Sequence, residues 1–261
     1  MPRPVDDWPA DEIDGGDLPD YEVFVRWSDM DVLEHVNNVK FVEFTDNARR
    51  ELVAAGHVPP HSHLAVCRID FIAPAESRSD RMFVVNRWID EVLYQEVKTV
   101  TPSGVRVHAR VKSEIGDGGA LSIDSRPGQD VLHRTRGTDG VDGIVSNASL
   151  IGVFQEARVA AISDRGPLEH HERIVVARSE VRTAKPLVIR QDPYLVHTTL
   201  DRMGGASLEL THQIRDGDEV LVDATVVTVG FDMRTGRSRR FTDTEREAVS
   251  LALPSLGTSG A

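Results

Sequence analysis

The chain has a single cysteine, Cys67, among 261 residues. An intrachain disulfide is therefore excluded, and the composition fits a reducing compartment. Aromatic residues are scarce, at 5 %. Positive charge is in short supply, with 30 Lys and Arg against 42 Asp and Glu and a net charge of −12 at pH 7. Nucleic acids and anionic lipid surfaces are met by clustered Lys and Arg, so this balance argues against both as partners. No apolar run approaches the ~18 residues of a membrane span. The first twenty residues hold six Asp and one Glu, without the basic start and apolar core of a secretory signal. A cytoplasmic protein is expected. Nucleotide and serine-hydrolase signatures are missing too. Gly204-Gly205 lacks the spacing of a dinucleotide loop, and there is no P-loop and no G-x-S-x-G elbow.

What is present is a core-forming composition, 40 % hydrophobic, long enough for one large domain or two small ones. The stretch from Arg26 to Phe44 runs from the end of a strand into a helix and packs Asp29, Asp31, His35, Asn37 and Asn38 into ten residues. The helix expected over 38–55 carries apolar Val39, Phe41, Val42, Phe44, Ala48, Leu52 and Val53, a broad stripe at helical period. Asn37 or Asn38 can cap it and Gly56 can end it. The polar cluster thus sits at the start of a largely buried helix, where free N–H groups and the helix dipole favour negative charge. Such a place can hold an oxyanion while a nearby carboxylate attacks a carbonyl or deprotonates water. The plainer alternative stays open at this point, since Asx residues before a helix are most often caps and a nearby acid is often only a dipole partner.

Around this helix the sequence predicts strands at 21–27, 64–71, 82–89, 93–101 and 105–115, broken by Pro74, Asp90-Glu91 and Pro102-Ser-Gly104. Residues 1–20 read as a mobile acidic arm, 21–116 as a first unit, and 117–130 as a linker. The second unit, 131–253, repeats the first, and 254–261 are expected to be loose. Asn147 follows Asn38, and Ala157-Arg158 follows Ala48-Arg49, by 109 residues, while the run 176–181 mirrors 66–71 at a shift of 110. A second helix is expected over 147–164, strands at 174–183, 193–203, 207–215 and 219–232 with a turn at Asp216-Gly217, and a terminal helix at 242–253 capped by Thr242 or Thr244. An α+β fold follows, with one helix wrapped by an antiparallel sheet in each half. A repeat of this size suggests duplication. At the 109 offset Asp31 falls on Gly140, His35 on Ile144 and Asn37 on Ser146, and only Asn38 recurs, as Asn147. One complete cluster, in the first half, is expected. His57, His61 and His63 lie in a Pro-rich loop with no clustered Cys or carboxylate to complete a metal site. Cys67, on a strand, reads as a small buried hydrophobe.

The 26–44 stretch resembles the hotdog-fold thioesterases, which carry R-x-x-D-x-D-x-x-x-H-V-N-N before a helix. Here Arg26, Asp29, Asp31, His35, Val36, Asn37 and Asn38 match, and Asp46, Ala48 and Arg49 follow as in that family. It is most similar to the acyl-acyl-carrier-protein thioesterases, whose W-S-D-L-D-V-N-Q-H-V-N-N-V-K-Y aligns with W-S-D-M-D-V-L-E-H-V-N-N-V-K-F here. The resemblance implies a tandem hotdog whose two units pair within one chain, and hydrolysis of acyl-CoA or acyl-carrier-protein thioesters without metal or redox cofactor. It implies Asp31 as base or nucleophile, the Asn38 N–H as carbonyl donor, and His35 and Asn37 as positioners. Leu33 stands where relatives have a catalytic Asn. Arg68-Ile-Asp70-Phe71 stands where they have R-x-E-C, which makes Asp70 the candidate for the later acid. Glu180 matches Asp70 in the second half and reads equally as a solvated strand residue. In relatives the pocket lies between the units, so the second half is expected to shape the acyl or pantetheine channel. A hotdog hydratase or dehydratase and a non-catalytic acyl-thioester binder are the alternatives, and pairing into a further homo-oligomer is left open.

Overall fold

The structure is a computed structural model that describes residues 8, 18–31, 34–60, 64–76, 81–116, 121–126, 131–135, 140–141, 143–163, 174–232 and 234–253. The chain divides into two compact units, one spanning Pro2–Gly119 and the other Ala120–Ala261.

The first unit holds β1 (Tyr21–Val23), α1 (Asn38–Ala54), β2 (Leu64–Phe71), β3 (Arg81–Ile89), β4 (Val92–Thr101) and β5 (Gly104–Ile115). Its antiparallel strands lie in the order β1-β3-β4-β5-β2. Alternation sets the faces. On β4, Leu93, Gln95, Val97 and Thr99 are buried, and Gln95 Nε2 donates to the Thr45 carbonyl of α1 at 3.1 Å, which places that face against the helix. α1 buries Phe41, Val42, Phe44, Thr45, Asp46, Ala48 and Leu52, and Gly56, at φ 75°, follows its end in the left-handed conformation that glycine adopts without strain. β1 is shorter than the run 21–27 predicts. The Arg26 N–H is taken by the Asp29 carboxylate at 2.7 Å, which turns the chain into a 3₁₀ turn at Trp27–Asp29 instead of extending the strand.

Of the first twenty residues, Trp8, Leu18 and Pro19 make contacts that a mobile acidic arm does not anticipate, while Asp20 is exposed. Trp8 meets Tyr94 edge-on with ring centroids 5.3 Å apart, and the Arg110 guanidinium lies over its ring at 5.2 Å. The Pro19 carbonyl accepts from Asn86 Nδ2 at 2.8 Å.

The second unit holds β6 (Val131–Thr135), β7 (Gly140–Val141), β8 (Ile144–Val145), α2 (Asn147–Ser163), β9 (Ile174–Thr183), β10 (Tyr194–Met203), β11 (Ser207–Asp216), β12 (Glu219–Asp232), β13 (Arg237–Ser238) and α3 (Asp243–Ala252). Its order β6-β10-β11-β12-β9 reproduces that of the first unit, and both long helices have 17 residues starting 109 apart. The short strands β6, β7, β8 and β13 are additions to the sequence reading. The β11–β12 turn is the pair Gly217-Asp218, one residue later than predicted, since Asp216 still pairs with Glu219. In the expected linker, Arg126 is anchored to the second unit by its N–H on Gln213 Oε1 at 3.2 Å and its guanidinium on Asp201 at 3.0 Å. An apolar cluster of Ala161, Leu200, Leu208, Leu210, Phe241, Val249, Ala252 and Leu253 joins α2, β10, β11 and α3.

Candidate active site

The loop between the 3₁₀ turn and α1 is built around Asp29. Its side chain is fully buried. It accepts from the Arg26 backbone N–H and from the Arg26 guanidinium at 2.9 Å, and Lys40 Nζ lies 3.7 Å away. Burial pushes this carboxyl up, but the hydrogen bonds and charge of Arg26, with the charge of Lys40, outweigh it and hold the group below the usual carboxylate range. The Asp29 carbonyl in turn accepts the Asn37 N–H at 2.8 Å, so the loop leaves and returns to one buried residue.

Within that frame the candidate groups are tied together by short bonds. Met30 and Val36 form a β-bridge. The Asp31 N–H donates to the His35 carbonyl at 2.7 Å, and the His35 N–H donates back to Asp31 Oδ1 at 3.2 Å. Glu34 makes the turn at φ 60°. The Val36 N–H donates to the Ala75 carbonyl at 2.9 Å, which pins the loop to the segment after β2.

The start of α1 shows which donors are open. Asn37 Oδ1 accepts from the Val39 N–H at 2.9 Å, so this side chain is the cap. The Asn37 carbonyl accepts the Lys40 N–H at 2.8 Å. The Asn38 N–H has no acceptor among the described residues. It is a dipole-backed donor a few residues from the Asp31 carboxylate.

The structure therefore ties Asp31, His35 and Asn37 into one hydrogen-bonded loop that leads into α1 at Asn38. Asp70 lies elsewhere, on β2. Cys67 and Ile69 are buried, and Phe71 comes within 6.3 Å of Phe41, so Asp70 projects from the opposite face of the sheet, where Arg68 binds it at 3.2 Å. Leu33, His61 and His63 lie outside the described residues. Cys67 is buried, and burial first, with the charge of Asp46, pushes its thiol up to about 12, which makes it inert. Asp29 and the Ala75 carbonyl organise the loop without being read from sequence as more than a motif match and an ordinary residue. Asp29 is held chiefly by Arg26, three residues before it, whereas the Ala75 carbonyl meets the Val36 N–H only on folding.

The equivalent place in the second unit keeps the helix cap and the backbone anchor. Ser146 caps α2, its hydroxyl accepting the Ser149 N–H at 3.1 Å, and the Val145 N–H donates to the Leu187 carbonyl at 2.8 Å, as Val36 does to Ala75. Ile144 stands at the place of His35, but Val145 pairs with Gly140 where Val36 pairs with Met30, so the second loop is one residue shorter than the 109 offset implies and Val141, not Gly140, takes the place of Asp31.

Residues 17–73, which contain this loop and helix, match the family model of the acyl-ACP thioesterase C-terminal domain. No curated protein matches the chain by sequence. Among solved structures, a protein assigned as an oleoyl thioesterase from Lactobacillus plantarum is similar over 82 % of this chain and 96 % of that one, at 10 % identity and TM-score 0.61. The 12:0-ACP thioesterase from Umbellularia californica is similar over 84 % and 97 %, at 9 % identity and TM-score 0.57. An acyl-ACP thioesterase from Bacteroides thetaiotaomicron is similar over 80 % and 97 %, at 11 % identity and TM-score 0.53. At these identities the likeness establishes the fold, an α+β tandem hotdog.

Proposed function

We propose that this chain, a hotdog fold with an acyl-ACP thioesterase-like motif, hydrolyses acyl thioesters to the free acid and thiol. The observation that carries the reading is the loop that sets the Asp31 carboxylate, His35 and the open Asn38 N–H at one helix start. The thioester carbonyl accepts from the Asn38 N–H, which stabilises the oxyanion as it forms. Asp31, as general base, takes a proton from a water whose oxygen attacks the carbonyl carbon. The tetrahedral intermediate collapses, the C–S bond breaks, and the proton held by Asp31 passes to the departing thiolate. His35 positions water or the leaving sulfur. Asn37 acts by capping the helix that carries the donor. The reaction uses no group of Asp70 and requires neither metal nor redox cofactor.

The thiol carrier is CoA on this reading, because a net charge of −12 sets like charge against the broad acidic face of a carrier protein. Each chain has one reacting cluster, in the first unit, and works in the fatty acid metabolism of the cytoplasm. No described helix is long and apolar enough to cross a membrane.

Free-thiol release from acyl-CoAs of graded length, with wild type beside Asp31→Asn, tests the proposal. The variant should lose about 100-fold or more of the turnover while keeping its fold. Near-normal release by the variant would remove Asp31 from the mechanism. A wild type that releases no thiol from any acyl-CoA or acyl-carrier protein would remove the function.

A further inference from the structure

His108, on β5, grips the segment on which the loop of the groups assigned above rests. Its ring is 2 % exposed. Nδ1 lies 3.2 Å from the Ala73 carbonyl and 3.0 Å from that of Pro74. Carbonyls only accept, so Nδ1 carries the proton and donates to both. Nε2 lies 2.8 Å from Thr99 Oγ1 and takes that hydroxyl's proton. The His108 carbonyl accepts from the N–H groups of Ile72 and Ala73 at 2.8 and 3.2 Å. The next residue but one, Ala75, is the acceptor for Val36. The other side of the ring stacks on Phe41, one turn into α1, with planes 16° apart and centroids at 6.3 Å.

The second unit shows what this joint needs for folding alone. There the Leu221 carbonyl accepts from the N–H groups of Ala184 and Lys185 at 2.9 and 3.3 Å, and Leu187, two residues on, accepts from Val145. The backbone pattern is the same, and the residue in the place of His108 is leucine. A buried imidazole is costly unless fully bonded, and an aliphatic side chain completes the joint at no such cost. The imidazole accompanies the unit that has Asp31 and His35, and leucine the unit that lacks them.

Resting on the function proposed above, we propose that His108 is a positioning residue for thioester hydrolysis. Its ring binds the Ala73 and Pro74 carbonyls and so fixes the adjoining Ala75, whose carbonyl holds the Asp31 loop, and its stack on Phe41 fixes the first turn of α1, so that carboxylate and Asn38 N–H keep their relative placement. Misplacement by an ångström costs catalysis more than it costs stability.

His108→Leu copies the second unit and is compared with His108→Gln, whose amide N–H can reach a carbonyl. In His108→Leu, kcat for thiol release is expected to fall roughly 10- to 100-fold with KM within about twofold, and His108→Gln to recover part of the loss. Hydrogen exchange is read alongside, without reference to activity. The Val36 amide and the 29–37 segment should exchange faster in His108→Leu, with β10–β12 unchanged. Unaltered kcat with unaltered exchange overturns the proposal. So does a His108→Leu chain that fails to fold, because a group the fold itself requires is not a positioning device. If wild type releases no thiol, the thioesterase reading fails while the exchange arm still decides whether His108 holds the loop.

Discussion

Glu34 is held at φ 60°, and Gly143, at the same place 109 residues later, at φ 78°. The two units need the same left-handed turn, and only the one with the acid and imidazole makes it with a side-chain-bearing residue. That conformation costs a non-glycine residue about 1–2 kcal/mol, of which glycine's greater freedom in the unfolded chain gives back about half. Glu34→Gly should therefore raise the unfolding free energy by about 0.5–1 kcal/mol in urea titration. A loss of stability would mean that the exposed Glu34 side chain has a partner worth more than the strain. At this scale Asp31, His35, Asn37 and Asn38 were legible in the sequence because they lie within eight residues, and local spacing fixes a loop–helix junction. His108 was not legible. A lone histidine in an alternating strand gives no local signal, and its partners Ala73, Pro74 and Thr99 reach it only through the sheet.

Among the elements, the helices and long strands followed from hydrophobic period. The errors fell where polar bonds override propensity, as when Asp29 ends β1 early. They also fell on very short strands such as β13, whose two residues carry no period. The terminal helix α3 shows a cap doing more than start a helix. Thr242 and Glu245 form a capping box, and both Glu245 oxygens bind Arg239, at 2.6 and 2.8 Å. Those bonds from Arg239 hold the Glu245 carboxyl down at about 2, against the burial that pushes it up and the ordinary value of 4.5. A depressed carboxylate stabilises the fold fully above 4.5 and loses that contribution as pH falls towards 2. Glu245→Gln should thus cost about 2 kcal/mol at pH 7, read by chemical denaturation, with the difference from wild type shrinking steadily below pH 4.5. A pH-independent difference would assign the loss to packing.

At the scale of the whole molecule, the 109-residue spacing read in the sequence is also the spacing between the starts of α1 and α2, and the two units have the corresponding strand orders β1-β3-β4-β5-β2 and β6-β10-β11-β12-β9. What the spacing could not reveal is that the two helices rest on different buried chemistry. Against α1 the sheet offers Gln95 bonded to Asn86 at 2.8 Å. Against α2 it offers His212 bonded to Thr198 at 2.9 Å and stacked on Phe154. His212 is wholly buried, and its Nε2 has no partner among the described residues. Burial, with the charge of Arg158, pushes it down to about 3 from an ordinary 6.5. The unfolded chain therefore binds a proton below pH 6.5 that the folded chain refuses until near pH 3, and stability falls across that window by about 1.4 kcal/mol per pH unit. The global charge acts in the opposite sense, because protonating a chain of net charge −12 relieves self-repulsion. The buried site is the stronger of the two, since solvent and salt screen the surface charges and not His212. Wild type should lose about 2–3 kcal/mol between pH 6.5 and 4.5, and His212→Gln, whatever its offset at neutral pH, should show a much flatter limb. Denaturant titrations at half-unit pH steps measure both slopes. Parallel limbs would place the acid sensitivity outside the second unit's core.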